Sequence, residues 1–179
     1  MAQGMMDEEI LVAELELLGI GYLSRQSGYR ATQTRLPAQL LADLVRQPSE
    51  RVRQAVISVL LAHPEYASAV HEALRMVSAK DGLTLRLLYT AAVLLREKYA
   101  DELRGATAQE QTPLPDLFSE EFGLSVKAPV AYRLATLGQS HQQATGITAN
   151  WVGTYDNVAR KLLRRWEMER QWSQHPLPQ

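Results

Sequence analysis

Cysteine is absent from the 179 residues, which rules out disulfides, thiolate catalysis and cysteine-ligated zinc or iron–sulfur centres. Histidine is sparse as well. His63, His71, His141 and His175 stand apart, with no pair at i, i+3 or i+4 and no H-E-x-x-H. A zinc site needs three or four convergent ligands, so no metal and no cofactor is expected. Each histidine is read as solvated or packed on a helix. No run approaches the ~20 apolar residues of a membrane span: the densest, residues 83–95, carries Arg86 and stops at Arg96, Glu97 and Lys98. The first nine residues lack the basic leader and apolar stretch of a secretory signal. These absences predict a soluble protein of the cytoplasm, with no membrane partner.

Phosphate loops are missing too. Gly19-Ile20-Gly21 is too short for one and follows a predicted helix, whereas the dinucleotide-binding turn follows a strand. Gly138-Gln139-Ser140-His141-Gln142 approaches G-x-S-x-G but lacks the closing glycine and the strand–turn–helix setting. Asp116, Glu120 and Glu121 are the closest acidic cluster, and the dipole of a short helix accounts for them. No catalytic constellation is left, and none is assigned.

What the chain does contain is ordinary in amount: 46% hydrophobic, 22% charged, net charge −1. A chain of this length buries roughly 70% of its unfolded surface and needs no staple. Nearly all of it has helical periodicity, and no credible series of strands is present. The predicted fold is all-α, an irregular array of about seven or eight helices.

Residues 7–18 form the first predicted helix, with Ile10, Leu11, Leu15 and Leu18 inward and Gly19 and Gly21 ending it. An irregular polar piece, 22–35, follows. Pro37 suits the first turn of the second helix, where its missing N–H costs nothing. That helix carries Leu40, Leu41, Leu44 and Val45 and stops before Pro48. In residues 48–61 (P-S-E-R-V-R-Q-A-V-I-S-V-L-L) Ser49 can cap the next helix. Val52, Ala55, Val56, Val59 and Leu60 then form one apolar stripe, with Arg51 and Arg53 flanking it. A fourth helix opens at Pro64 with Tyr66, Val70, Leu74 and Val77, and Lys80-Asp81-Gly82 forms a turn before a central, apolar helix over 83–103.

Residues 48–61 resemble the second helix of a HEAT-type repeat. The pairs 37–46 with 50–61 and 64–79 with 83–103 make residues 37–103 similar to HEAT or armadillo architecture. That resemblance implies antiparallel helix hairpins with a long groove for a partner. Some proteins of this kind, among them a family of alkylated-base glycosylases, hold nucleic acid on a concave basic face. Their catalytic aspartate finds no counterpart here, and no repeat period persists beyond residue 103.

The predicted organisation is a HEAT-like body over 1–103, a linker or surface loop over 104–115, a C-terminal helical part over 116–172 packed on the body, and a disordered tail over 173–179. In the C-terminal part, 116–122 is read as a short helix with Phe118 and Phe122 on one side. A helix from Pro129 reaches about Gly146, and a long helix spans 151–172. Trp151, Tyr155, Val158, Leu162 and Trp166 are its buried stripe, with Arg160, Lys161, Arg164 and Arg165 opposite. All three tryptophans are expected to anchor this helix to the core.

Charge is unevenly spread. Asp7, Glu8, Glu9, Glu14 and Glu16 precede a segment rich in arginine. Arg25, Tyr29, Arg30 and Arg35, extended by Arg51 and Arg53, form the one candidate binding patch for an anionic ligand or partner, because arginine forks grip phosphates and tyrosine stacks on bases. The competing explanation is that the acidic first helix lies against the basic segment. The predicted function is a non-enzymatic protein-interaction or regulatory helical module of a bacterial kind, with a protein partner. The alternative is a nucleic-acid-binding protein or enzyme using the basic loop and the HEAT-like hairpin. A ligand pocket between helices is a third class, invisible in sequence because apolar linings look like core.

Overall fold

The computed structural model describes residues 2–24, 29–106 and 112–174. Its helices are α1 (Ala2–Leu17), α2 (Pro37–Val45), α3 (Glu50–Arg53), α4 (Ala55–Ala62), α5 (Val70–Met76), α6 (Ala79–Lys98), α7 (Ala100–Ala106), α8 (Val130–Thr145) and α9 (Trp151–Gln174), with a 3₁₀ segment at Pro64–Ala69. Among the described residues there is no strand. With α3 and α4 taken as one stretch tightened at Gln54, the array matches the expected seven or eight helices.

Two helices make the centre. In α4, Ala55 through Leu61 are all buried, Ser58 included. The expected single stripe is therefore too narrow, because α2, α6 and α9 surround this short helix. In α6, Leu85, Leu87, Leu88, Tyr89, Ala91, Ala92, Leu94 and Leu95 are buried, as expected for a helix apolar on several faces. The C-terminal helices cover the other two: α8 lies on α6, and α9 packs on α4 and α8.

Helix ends follow local chemistry, with some corrections. α1 starts well before residue 7. It closes at Gly19, whose φ is +80°. There Gly19 N–H reaches Glu16 O at 3.0 Å and Ile20 N–H reaches Leu15 O at 2.9 Å, the paired bonds of a glycine-terminated helix. Pro37 opens α2 as expected. Ser49 precedes α3, yet its side chain accepts no capping bond. The working cap is Ser78, whose Oγ accepts from Asp81 N–H at 3.1 Å. The turn before α6 is thus at residues 77–78, and Lys80, Asp81 and Gly82 lie inside the helix. Pro64 begins a 3₁₀ segment that precedes the α-helix. Residues 116–122 form turns rather than a helix: Asp116 Oδ1 accepts from Ser119 N–H at 3.1 Å, and Phe118 is buried beneath. α7 runs through residues 104–106 of the expected linker, of which 107–111 lie outside the described residues. α9 continues through Gln174, and the remaining expected tail, 175–179, is likewise outside them.

Charged clasps tie the outer helices down. Arg133, 6% exposed, donates from Nη2 to both Glu97 oxygens at 2.6 and 2.7 Å and from Nε to Ala128 O at 2.9 Å. Asp156 accepts from Lys98 Nζ at 2.8 Å and from Tyr99 OH at 2.9 Å, joining α9 to the end of α6. Among the described residues no helix is long and apolar enough to cross a membrane.

Candidate functional site

Of the six residues in the expected anion patch, Arg25 lies outside the described residues. Tyr29 and Arg30 are exposed on the irregular segment. The other three arginines are engaged by the protein itself. Arg35 Nε meets Glu14 Oε1 at 3.0 Å, its backbone N–H meets Glu14 Oε2 at 3.0 Å, and its Nη1 meets Asp43 Oδ2 at 2.6 Å. Partial burial opposes the Arg35 charge, but hydrogen bonds to Asp43 and Glu14 outweigh it and hold the guanidinium pKa above its ordinary value. Arg51 Nη2 donates to Leu23 O at 2.6 Å. Arg53 Nη1 donates to Gln47 O at 2.6 Å and Pro48 O at 3.0 Å, and its Nη2 pairs with Glu50. These bonds occupy part of each guanidinium, and Arg51 itself stays exposed. Glu14, 6% exposed, does join the acidic first helix to the basic segment through Arg35.

Several of the other titratable groups singled out in the sequence have structural partners. His63 sits between Leu18 O (Nε2, 2.7 Å) and Glu65 (Nδ1, 3.1 Å), pinning the end of α1. His71 stands edge-on to Phe118. Glu121 pairs with Arg86 at 2.9 Å. His175 is outside the described residues. Among the described residues no three metal-ligating side chains gather.

Two places remain where side chains face outward or inward without an evident structural use. The first is the far side of α9, a helix about 36 Å long at 1.5 Å per residue. Trp151 is buried, and Trp166 is partly buried with its Nε1–H donating to Gly19 O at 3.0 Å. Trp172, however, is 58% exposed and Met168 38%. The third tryptophan is therefore no core anchor. Lys161, Arg164, Arg165, Met168 and Trp172 recur at helical spacing and share one face. Arg165 lies beneath the Trp172 ring at 5.7 Å and holds Glu169 at 2.7 Å.

The second is His141 on α8, 1% exposed. Its ring stacks on Trp151 with centroids 3.7 Å apart and planes 7° from parallel. Gly138, one turn earlier, makes this approach short: a Cβ there would lie 3.4 Å from the Trp151 Cβ. His141 Nδ1 is 2.6 Å from Tyr155 OH. Burial, with Glu50 adding, raises the Tyr155 pKa, so the phenol keeps its proton. His141 and Tyr155 share one hydrogen bond, whose donor depends on the imidazole tautomer. Burial lowers the His141 pKa to about 4, against the pull of Glu50 and with a small push from Arg53. The ring is therefore neutral at pH 7.

A pocket of about 270 Å³ opens beside His141, between the α2–α3 connection, the start of α6 and the end of α8. Gln47, 9% exposed, lines it. Its Nε2 donates to Asp43 O at 3.3 Å, which fixes the amide orientation, and its buried Oε1 has no hydrogen-bond partner. Lys80 and Asp81 line the same pocket with no ion pair, whereas Glu50 and Arg53 are paired with each other.

The sequence shows Gly138 and His141 only as part of a failed hydrolase motif, and nothing in the chain's periodicity points to Gln47. The one usable signal was the Trp151/Tyr155 spacing of four beside a histidine on the preceding helix. No protein-family model, curated protein or solved structure matches this chain.

Proposed function

We propose that this chain is a non-enzymatic, cytoplasmic protein-interaction module built on HEAT-like helix hairpins, with the outer face of α9 as its contact surface. The observation that carries the proposal is the stripe Lys161, Arg164, Arg165, Met168 and Trp172, which ends in an exposed tryptophan. Burying Trp172 in a partner's recess would remove a large apolar area from water. Tryptophan, methionine and arginine are also the residue types enriched where partners meet. The stripe joins cations to an apolar end, so the matching partner is a protein with an apolar recess rimmed by carboxylates. The engagement of Arg35, Arg51 and Arg53 within the fold favours this surface over the basic segment.

The test is recovery of partners from native lysate with and without nuclease, for wild type and for Met168→Ala/Trp172→Ala. A stoichiometric protein partner is expected to survive nuclease and to be lost with the double substitution, while the thermal midpoint stays put. Retention of the partner by the double variant would remove the α9 face from consideration. Loss of every partner on digestion would move the function to nucleic acid, where binding weakens steeply with salt and falls further in Arg30→Ala.

A further inference from the structure

We propose that the outer face of α9 pairs with the same face of a second copy of this chain, the two helices running antiparallel. This rests on the reading of that face as a contact surface and names its occupant. The helix divides along its length. Lys161, Arg164 and Arg165 make the first half of its outer side cationic. Residues 167–172 carry two carboxylates, Glu167 and Glu169, beside the exposed Met168 and Trp172. The cation of that second half, Arg170, is turned to Gly105 O at 2.8 Å. The face thus holds its own complement, with cations at one end and apolar surface bordered by carboxylates at the other.

Charge sets the orientation. A parallel pair would lay cations on cations and carboxylates on carboxylates. An antiparallel pair sets residues 161–165 of each copy opposite 167–172 of the other, and a two-fold axis makes every such contact twice. Arg164 and Glu167, three apart, lie along one edge of the stripe, and Arg165 and Glu169, four apart, along the other. Arg165 and Glu169 are already joined at 2.7 Å, which neutralises their edge. Arg164 and Glu167 have no ion-pair partner among the described residues, and antiparallel pairing gives each the other from the second copy. Trp172 then lies over the second copy's cations, repeating between copies the contact that its ring makes with Arg165 at 5.7 Å within one. No side chain of α9 after Leu162 is fully buried, so about 18 Å of helix, at 1.5 Å per residue, has its outer side uncovered. Two such faces make a small contact, below the ~1,200 Å² at which stable complexes begin. The dimer is therefore expected to be reversible, with a Kd between about 1 µM and 1 mM.

The experiment is sedimentation equilibrium of the full chain across that range of concentration. A monomer–dimer equilibrium is expected, shifted towards monomer by high salt. Arg164→Glu and Glu167→Arg, both at exposed positions, should each weaken association about tenfold or more when alone, as each sets like charges together twice. Mixed in equal amounts they should associate about as tightly as wild type, because every edge of the mixed dimer again pairs opposite charges. A chain that stays monomeric throughout would overturn the proposal. The α9 face would then keep its role with a different occupant if Met168→Ala/Trp172→Ala still loses a partner from lysate. A dimer of undiminished strength in Met168→Ala/Trp172→Ala would also overturn it, as would a mixture of the two charge variants no tighter than either alone.

Discussion

His141 is neutral because it is enclosed, and enclosure makes it a liability in acid. Its folded pKa of about 4 lies below the ordinary 6.5, so the unfolded chain takes up the proton first. The stability it contributes is complete above pH 7 and is lost as pH falls from about 6.5 towards 4. The linkage relation puts this loss at about 2 kcal/mol between roughly pH 7.5 and pH 5, before most carboxylates titrate. Urea unfolding across that range should show the fall in wild type and a flatter profile in His141→Gln, even if that variant is less stable throughout. Two glycines make a second comparison at this scale. A Cβ added at Gly146 or at Gly105 meets nothing within 4 Å, but Gly146 has φ +69° and ends α8 with its N–H on Gln142 O at 2.8 Å. Gly146→Ala should therefore cost about 1–2 kcal/mol from the left-handed backbone alone. Gly105→Ala, inside α7, should be neutral or stabilising by up to about 1 kcal/mol. Matched denaturation curves would reveal the opposite signs.

At the scale of elements, two serines that look alike in sequence part company. Ser78 Oγ caps α6 through Asp81 N–H, whereas Ser49 makes no side-chain cap bond for α3. Ser78→Ala is expected to cost about 1 kcal/mol and Ser49→Ala only a few tenths; equal losses in urea midpoints would contradict the assignment. Periodicity and punctuation made much of this level legible. Pro37 and Pro129 mark the starts of α2 and α8, His63-Pro64 marks the end of α4, and Gly19 and Gly146 mark the ends of α1 and α8. What stayed hidden depends on neighbours far along the chain. The capping choice between Ser49 and Ser78 is one case. Another is the turn over 116–122, where Asp116 bonds locally to Ser119 N–H instead of starting a helix. The full enclosure of α4 is a third, since its stripe reads as one-sided until α9 covers the other side.

Across the whole molecule, α4 touches α2, α6 and α9, so the C-terminal helices complete the same core that the N-terminal ones begin. Unfolding is expected to be a single cooperative transition, with far-ultraviolet circular dichroism and tryptophan fluorescence coincident. Separate transitions would mean that residues 116–172 hold together on their own. The candidate site was less legible than the fold for the same reason. Gln47 and His141 are 94 positions apart and share a cavity only after α8 is laid on α6. Of the basic patch, sequence shows the charge but not that Glu14, Asp43 and backbone carbonyls have already claimed Arg35, Arg51 and Arg53. The Trp166 bond to Gly19 O spans 147 positions, and this distance has a consequence for synthesis. At ~5–20 residues per second, a ribosome exposes Gly19 roughly 7 to 30 s before Trp166. Throughout that interval the nascent chain carries the end of its first helix uncovered, joined once α4 has emerged by the side of α4 that α9 will cover, open to whatever chaperone stands at the exit tunnel.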